Sequence, residues 1–521
     1  MLGRASGALR PASATSTPLD AALSGLGDRL RGAGGRLFER LDMPEGRTSE
    51  RGSTLTFFAL AALLLLVIFW LPLDGRNDWG FYKTLQVSNV MATFAIFLLL
   101  AFSLNLHTGM TGLLNFGVIF FASIGAILVG ILTAPQEYFG YGWPILPAVL
   151  AAMVVGAVAG WLMAGPTARL RSDYFAIITI SMGEVVRLLL SGEPLLRVGA
   201  NASAIGIGQY PKPLNVWWFC GREPQLTSAG EVMSPVACSL DPSITSAASI
   251  VGDLLGFTKP APYMLVLAVI GLFAIVLTWV VLSTLYRSPW GRVLRAIRED
   301  EEVAQHHGHD IMRHKATSLA VGGAIAAFAG ALWAWKLGGF QPSFMSPARS
   351  TFLVWAAFII GGAANNRGMV IGAMIIALME FFFNVLVAAQ GSSDLPLHGL
   401  ANSIDVVFQW MVLTPFQPAL VFLVLAGAMV WLRRSSAAET FGWMGATMLV
   451  LGVLLGGEGH HSITEVFPEV LGGVHPKMGF VKEVLVGLLI VFSLKFNAKG
   501  LLPEVPFRPE RTGASPMEVE E

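Results

Sequence analysis

Two apolar stretches, residues 263–285 and 316–335, bracket a strongly charged segment from Gly291 to Lys315 that reads GRVLRAIREDEEVAQHHGHDIMRHK. Each stretch is long enough to cross a bilayer core of roughly 30 Å. A charged, helix-prone connector held between two crossings must lie at the membrane surface. There it is better placed to contact a partner than to complete a core. The rest of the chain has the same character. It is 54% hydrophobic and 13% charged, against about 25% charged in a soluble domain. Its 521 residues therefore make one polytopic membrane unit rather than several soluble domains. The 34 basic and 34 acidic residues cancel, so net charge points to no nucleic-acid partner, and the placement of charge is what informs.

The expected fold is all-α and polytopic, with about 10–12 transmembrane helices judged by span length. Apolar stretches place spans near 55–73, 85–106, 113–132, 144–163, 174–190, 263–285, 316–337, 352–362, 369–389, 418–432, 441–455 and 480–496. The stretch 352–362 is short, as in a broken or re-entrant helix, which is tolerable only where protein surrounds its free backbone groups. Arg and Lys gather in a leader (1–54), at Arg169 and Arg171, between Arg287 and Lys315, at Arg433 and Arg434, and at Lys495 and Lys499. By the positive-inside rule these clusters share the cytoplasmic side, which gives an N-in, C-in topology.

The expected organisation is a flexible cytoplasmic leader (1–54) with one short amphipathic helix near 19–41. A transmembrane domain (55–503) and a cytoplasmic tail (504–521) follow. The domain holds an outer loop (191–262), a cytoplasmic coupling loop (286–315) and an extra hairpin (418–455). The outer loop contains Cys220 and Cys238, either two free thiols or an exported disulfide worth roughly 3 kcal/mol in the chain-entropy model. The small-residue pairs Gly156/Gly160 and Gly368/Gly372 are expected to let helices pack closely.

Within the connector, Arg292, Arg295 and Arg298 are spaced to share one face of a helix. Glu299, Asp300, Glu301 and Glu302 follow, and Gly308 suits a helix C-terminus. Glu184 and Arg187 stand in a membrane segment, where ionisable groups are costly and often functional. At three-residue spacing they also suit pairing with each other. Asn105 and Asn115 are candidate pathway residues, and Glu380, Asn384 and Asp405 are further polar groups in apolar settings. His306, His307, His309, His314 and the pair His460/His461 match no metal-ligand spacing. No metal site and no catalytic residue are expected.

Several segments, taken in order, carry a family resemblance. The run SPWGRVLRAIREDE from Ser288 to Glu301, followed by Ala304 and Gly308, resembles the cytoplasmic loop of branched-chain amino acid ABC-importer permeases of the LivM type. The run SLNLHTG from Ser103 to Gly109, leading into Gly112, Asn115, Phe116 and Gly117, resembles the family's early Gly-rich segment. Residues 170–188, then Gly199, Ala200, Asn201 and Gly206, resemble a further signature and the start of the following outer loop. Gly361, Gly362, Gly368 and Gly372 match a late Gly-rich stretch in part. Residues 485–492 and 500–503 resemble the closing span and its tail. The departures are a long leader, an outer loop enlarged from Tyr210 to Pro262, and the hairpin at 418–455.

The resemblance implies a permease subunit translocating branched-chain amino acids by alternating access. It implies that Arg292, Arg295, Arg298, Glu299, Asp300, Glu301, Ala304 and Gly308 form a coupling helix that docks on an ATPase. The implied partners are a second related permease, two ABC ATPase subunits, a substrate-binding protein outside, and the lipid bilayer of a bacterial inner membrane. No cofactor is expected in this chain. It has no Gly-Lys dipeptide and hence no Walker A loop, so ATP would sit on the partner. A urea or amide ABC permease is a rival within the class. An ion-coupled secondary transporter, with Glu184 or Glu380 as its essential acid, is a rival outside it.

Overall fold

Hydrocarbon offers a backbone no hydrogen-bond partners, so a spanning chain satisfies itself as helices or as a closed barrel. This protein, described by a computed structural model, is an all-α polytopic membrane protein. The structure describes residues 79–136, 140–167, 172–192, 198–199, 210–221, 237–238, 241–340, 346, 350–390, 397–413, 416–431, 441–450 and 500–502, with isolated positions at 62, 66, 487 and 490. All of these belong to the unit Ala59–Glu521. The leader 1–54, the tail 504–521 and His460/His461 lie outside the described residues. So do the spans expected at 55–73 and 480–496, apart from the isolated positions.

Helix α1 (Trp79–Leu104) continues into a π-helical turn, Asn105–Met110. Then come α2 (Val118–Thr133), α3 (Ile145–Thr167) and α4 (Ser172–Gly192). After two short helices, α5 (Asn215–Phe219) and α6 (Ala247–Leu254), the long α7 (Met264–Arg287) leads to the connector. The connector is two helices, α8 (Pro289–Glu299) and α9 (Glu301–His306), and it delivers the chain to α10 (Ile311–Leu337). The series ends with α11 (Thr351–Gly361), α12 (Asn366–Gln390), α13 (His398–Leu413) and α14 (Phe416–Trp431), and an apolar helix at Phe441–Val450. Five helices among the described residues are long and apolar enough to cross a membrane: Gly80–Met110, Ile145–Gly165, Met264–Arg287, Ile311–Leu337 and Asn366–Val387.

Helix α10 is the centre of the bundle, packing most extensively on α3 and α2 and also on α1. Small residues permit this. A Cβ at Gly330 would collide with the carbonyl oxygen of Ala122, and one at Gly125 with that of Ala327. Gly156 and Gly160 sit against Gly323, Ala327 and Leu319 of α10, and Gly368 and Gly372 against the Gly361 and Ala357 carbonyls of α11. Both small-residue pairs read from the sequence thus lie at close helix crossings.

Three boundaries differ from the apolar runs. Helix α10 starts at Ile311, inside the charged segment, because the Asp310 carboxylate accepts from the Arg313 amide at 3.1 Å and caps it. Helix α2 starts at Val118 rather than near 113, because the Asn115 side chain takes the Gly117 amide at 2.7 Å and holds a loop before the helix. Helix α13 was not expected at all. Its sequence, HGLANSIDVVFQWMVL, breaks the apolar run with His398, Asn402, Asp405 and Gln409. The short α11 is 11 residues long. Its open carbonyls are met by backbone, Leu501 N to Ile360 O at 2.8 Å and Leu502 N to Gly361 O at 3.1 Å.

The described parts of the 191–262 loop, chiefly 210–221 and 241–262, pack on the end of α1 remote from the connector. Phe81 of α1 packs with Trp218, Phe219, Ala248, Phe257 and Ala261. The Trp218 indole donates to Ala261 O at 3.1 Å, and the Tyr263 hydroxyl to Pro213 O at 2.7 Å. Cys220 is disulfide-bonded, and Cys238 is the other cysteine of the chain. Two short antiparallel ladders complete this end. Strand β1 (Val198–Gly199) pairs with β4 (Gly339–Phe340), and β2 (Ala237–Cys238) with β3 (Asp241–Thr245).

Candidate functional site

The connector has one buried and one exposed side because α8 is amphipathic. Gly291, Leu294 and Ile297 are buried, while Arg292, Ala296 and Glu299 are exposed. Asp300 breaks the helix with extended backbone (φ −153°, ψ 112°). Its carboxylate then accepts from the Val303 amide at 3.0 Å, starting α9. Gly308 ends the turn at φ +84°, a conformation that favours glycine. The side chains this surface offers to an outside partner are Arg292, Glu299, Asp300, Glu301, Glu302, His306 and the half-exposed Val303.

Arg295, Arg298 and Ala304 of the connector face the bundle. Arg298 is half-buried, and its Nη1 donates to the carbonyl oxygen of Gly109 in the π-helical turn. Its stem lies on Gly112, where a Cβ would come 3.1 Å from Arg298 Cγ and where φ is +80°. Arg295 is half-buried too, with its Nε buried and lacking a hydrogen-bond partner among the described residues. The three arginines therefore do not form one exposed stripe. Ala304 is buried and serves packing. Glu301 holds Lys315 of α10 with both carboxylate oxygens, each 2.7 Å from Nζ. Lys315 is buried and Glu301 exposed.

The π-helical turn that receives Arg298 is the hub of a buried polar knot. The Asn105 amide donates to Asn366 Oδ1 at 3.0 Å and accepts from the Ala364 backbone at 2.8 Å. That second bond fixes Ala364 at φ +61°, unusual for a residue with a side chain. Asn115 bonds His107 Nδ1 at 2.9 Å, and its carbonyl accepts from the Trp355 indole at 3.3 Å. Thr111 Oγ1 meets Ser318 Oγ of α10 at 2.6 Å, and Ser103 Oγ donates to Gly322 O at 2.8 Å. The Phe116 amide donates to Thr179 of α4 at 3.1 Å. Asn105 and Asn115 are thus fully buried ties between helices.

Glu184 and Arg187 bond each other. Arg187 Nε reaches one carboxylate oxygen at 2.9 Å and Nη2 the other, on the half-exposed side of α4. Asn384 is exposed on α12. Glu380 is half-buried on α12, and Lys336 of α10 donates to Thr93 Oγ1 of α1. Lys336 and Lys315 both carry a signal that could have found them, a cation inside or at the end of an apolar span. Gly109, Ala364 and Asn366 carry none, since their roles depend on contacts far along the chain.

Residues 86–429 match the family model described as branched-chain amino acid transport system / permease component. The chain is 30% identical over 320 residues to the high-affinity branched-chain amino acid transport system permease protein LivM of Escherichia coli (strain K12), covering 61% of this chain and 66% of the relative. It is 24% identical over 327 residues to the probable branched-chain amino acid transport permease protein LivM of Methanocaldococcus jannaschii, covering 57% and 81%. It is also 24% identical over 269 residues to the fructose import permease protein FrcC of Rhizobium meliloti, covering 50% and 61%. The chain thus spans just under two thirds of the length of its Escherichia coli relative, 66%. No solved structure matches it.

Proposed function

The chain belongs to the family of branched-chain amino acid transport system permease components, and we propose that it is the membrane-spanning subunit of a binding-protein-dependent ABC importer. Its substrates in this reading are branched-chain amino acids, the cargo named for its LivM relatives. It sits in the bacterial inner membrane with the connector end in the cytoplasm. It works with a second related permease, two ATPase subunits and an outer binding protein.

The observation that carries the reading is the build of the connector. It lies wholly inside the matched region, presents its acids outward, and is tied inward to two spans. ATP-driven closure of the ATPase subunits would push on α8 and α9. The Arg298–Gly109 bond would pass that push to α1, and the Glu301–Lys315 pair would pass it to α10. Alternating access follows if those spans tilt together.

The test is affinity co-purification of the detergent-solubilised chain, wild type against Glu299→Arg/Glu302→Arg. These two acids are exposed, so reversing them spares the internal ties. Recovery of an ATPase with wild type but not with the variant is the expected result. A chain that purifies alone and moves substrate into liposomes without ATP would overturn the proposal in favour of a secondary transporter. Uptake of a sugar in place of branched-chain amino acids, as the similarity to FrcC allows, would overturn the substrate alone.

A further inference from the structure

Helices α3 and α10 press together along their glycine seam and part at the connector end. A Cβ at Gly160 would collide with the Leu319 carbonyl oxygen of α10, whereas one at Gly165 would meet nothing within 4 Å. The step between those two glycines is only about 7.5 Å of helix, so the seam opens in little more than one turn. The opening is a groove of about 320 Å³, at the small end of the roughly 300–1,000 Å³ usual for ligand sites. Ala164 and Ala316, both buried, line it from the two helices, and Trp161, Asp310 and Arg313 line it with exposed side chains.

The groove stands at the level of the membrane surface, where the span Ile145–Gly165 ends and the span Ile311–Leu337 begins. An indole and a guanidinium at the ends of crossing helices suit the headgroup layer. From Leu162 inward, Val158, Val154 and Leu150 follow at helical spacing, all exposed, and make an apolar track down α3. The two charges of the groove are both available. One Asp310 carboxylate oxygen accepts from the Arg313 amide at 3.1 Å and caps α10. The other oxygen and the Arg313 guanidinium have no hydrogen-bond or ion-pair partner among the described residues.

We propose that this groove seats the headgroup of a phosphoethanolamine lipid. The Arg313 guanidinium donates to the phosphate oxygens, a planar fork suited to that group. The free Asp310 oxygen accepts from the primary ammonium. Trp161 lies beside the glycerol, and an acyl chain follows the track down α3. One cation and one anion match a headgroup that carries one of each, so neither charge is left over. A phosphoglycerol headgroup offers Asp310 no cation, and a phosphocholine offers a cation without an N–H to donate. Bound there, the lipid fills the one stretch of the α3–α10 seam that the glycine contacts leave open. The site needs only a bilayer around the two helices and stands whatever the chain transports.

The experiment offers the delipidated full chain, in detergent, phosphatidylethanolamine, phosphatidylcholine or phosphatidylglycerol with identical acyl chains, and counts bound lipid by native mass spectrometry. The wild type is expected to retain one ethanolamine lipid several-fold more strongly than either of the others. Asp310→Asn keeps the helix cap, since Asn serves there as well as Asp, and should abolish the preference over the choline lipid. Arg313→Gln should lower retention of the ethanolamine lipid several-fold. Gly165→Leu fills the groove without changing charge and should lower it too, which keeps the test standing if a charge variant fails to fold. Equal retention of all three lipids by the wild type would mean annular lipid only and would overturn the site. Preference for phosphatidylglycerol would make it a plain anion site and overturn the zwitterion. Wild-type retention by Arg313→Gln and Gly165→Leu would place the lipid elsewhere and overturn the groove. Displacement by an equal concentration of water-soluble glycerophosphoethanolamine would make the ligand a soluble phosphoester and overturn the lipid.

Discussion

Arg298→Ala should uncouple this protein without unfolding it. The guanidinium reaches from α8 to the Gly109 carbonyl and lies across Gly112, so truncation removes a hydrogen bond made by a charged donor. Such bonds contribute about 1.5–3 kcal/mol. At 1.4 kcal/mol per factor of ten, the balance between a seated and an unseated connector shifts roughly ten- to hundredfold toward the unseated form. Buried Leu294 and Ile297 still hold α8 in place, so the docking proposed for the exposed acids should survive. The assay is substrate moved per ATP hydrolysed in proteoliposomes. The expected result is retained ATP hydrolysis with transport reduced at least several-fold. Arg292→Ala, which removes an exposed arginine of the same helix without touching the bundle, should leave the amount of substrate moved per ATP at its wild-type value. A wild-type transport ratio for Arg298→Ala would refute the idea that force enters the bundle through this bond.

Two further outcomes test the packing. Asn105→Ala removes the acceptor for the Ala364 amide and the donor to Asn366, at a cost of roughly 2–4 kcal/mol, and should lower the melting temperature of the detergent-solubilised protein. Gly330→Ala drives a methyl into the Ala122 carbonyl and should cost about 1–3 kcal/mol or more, seen as reduced yield of folded protein, whereas Gly165→Ala, with nothing within 4 Å of its Cβ, should be silent in the same measurement.

Periodicity and span length were enough to find α1, α3, α7, α10 and α12, because a crossing helix must be long and apolar wherever its neighbours lie. The short α11 was legible for the same reason. What covers its open end was not, since Leu501 and Leu502 come from more than a hundred positions along the chain. Helix α13 escaped because His398, Asn402, Asp405 and Gln409 interrupt its apolar residues, so no run of spanning length forms. The connector was visible as charge, but charge alone does not say which side chains turn inward. Arg298 and Arg292 look alike in sequence, and only the amphipathic burial of α8 against the π-helical turn separates them. Asn105 and Asn115 stood out as polar groups in apolar settings, and burial shows them to be fasteners between helices.

The connector and the buried polar knot share their helices, and that links them mechanically. The connector grips α1 through Arg298 and α10 through Lys315, and Asn105 ties α1 to the start of α12. Further along, Lys336 of α10 donates to Thr93 of α1. Between the two levels α1 and α10 are fastened by Ser103 to Gly322 and Thr111 to Ser318. Along its length α10 is locked to α2 and α3 by glycine contacts with no room for a methyl. Interiors packed this closely do not absorb a displacement locally but pass it on. A push on the connector therefore reaches α1 and α10 as stiff rods, with α12 tied to α1 at Asn105 and packed against α11 at Gly368 and Gly372.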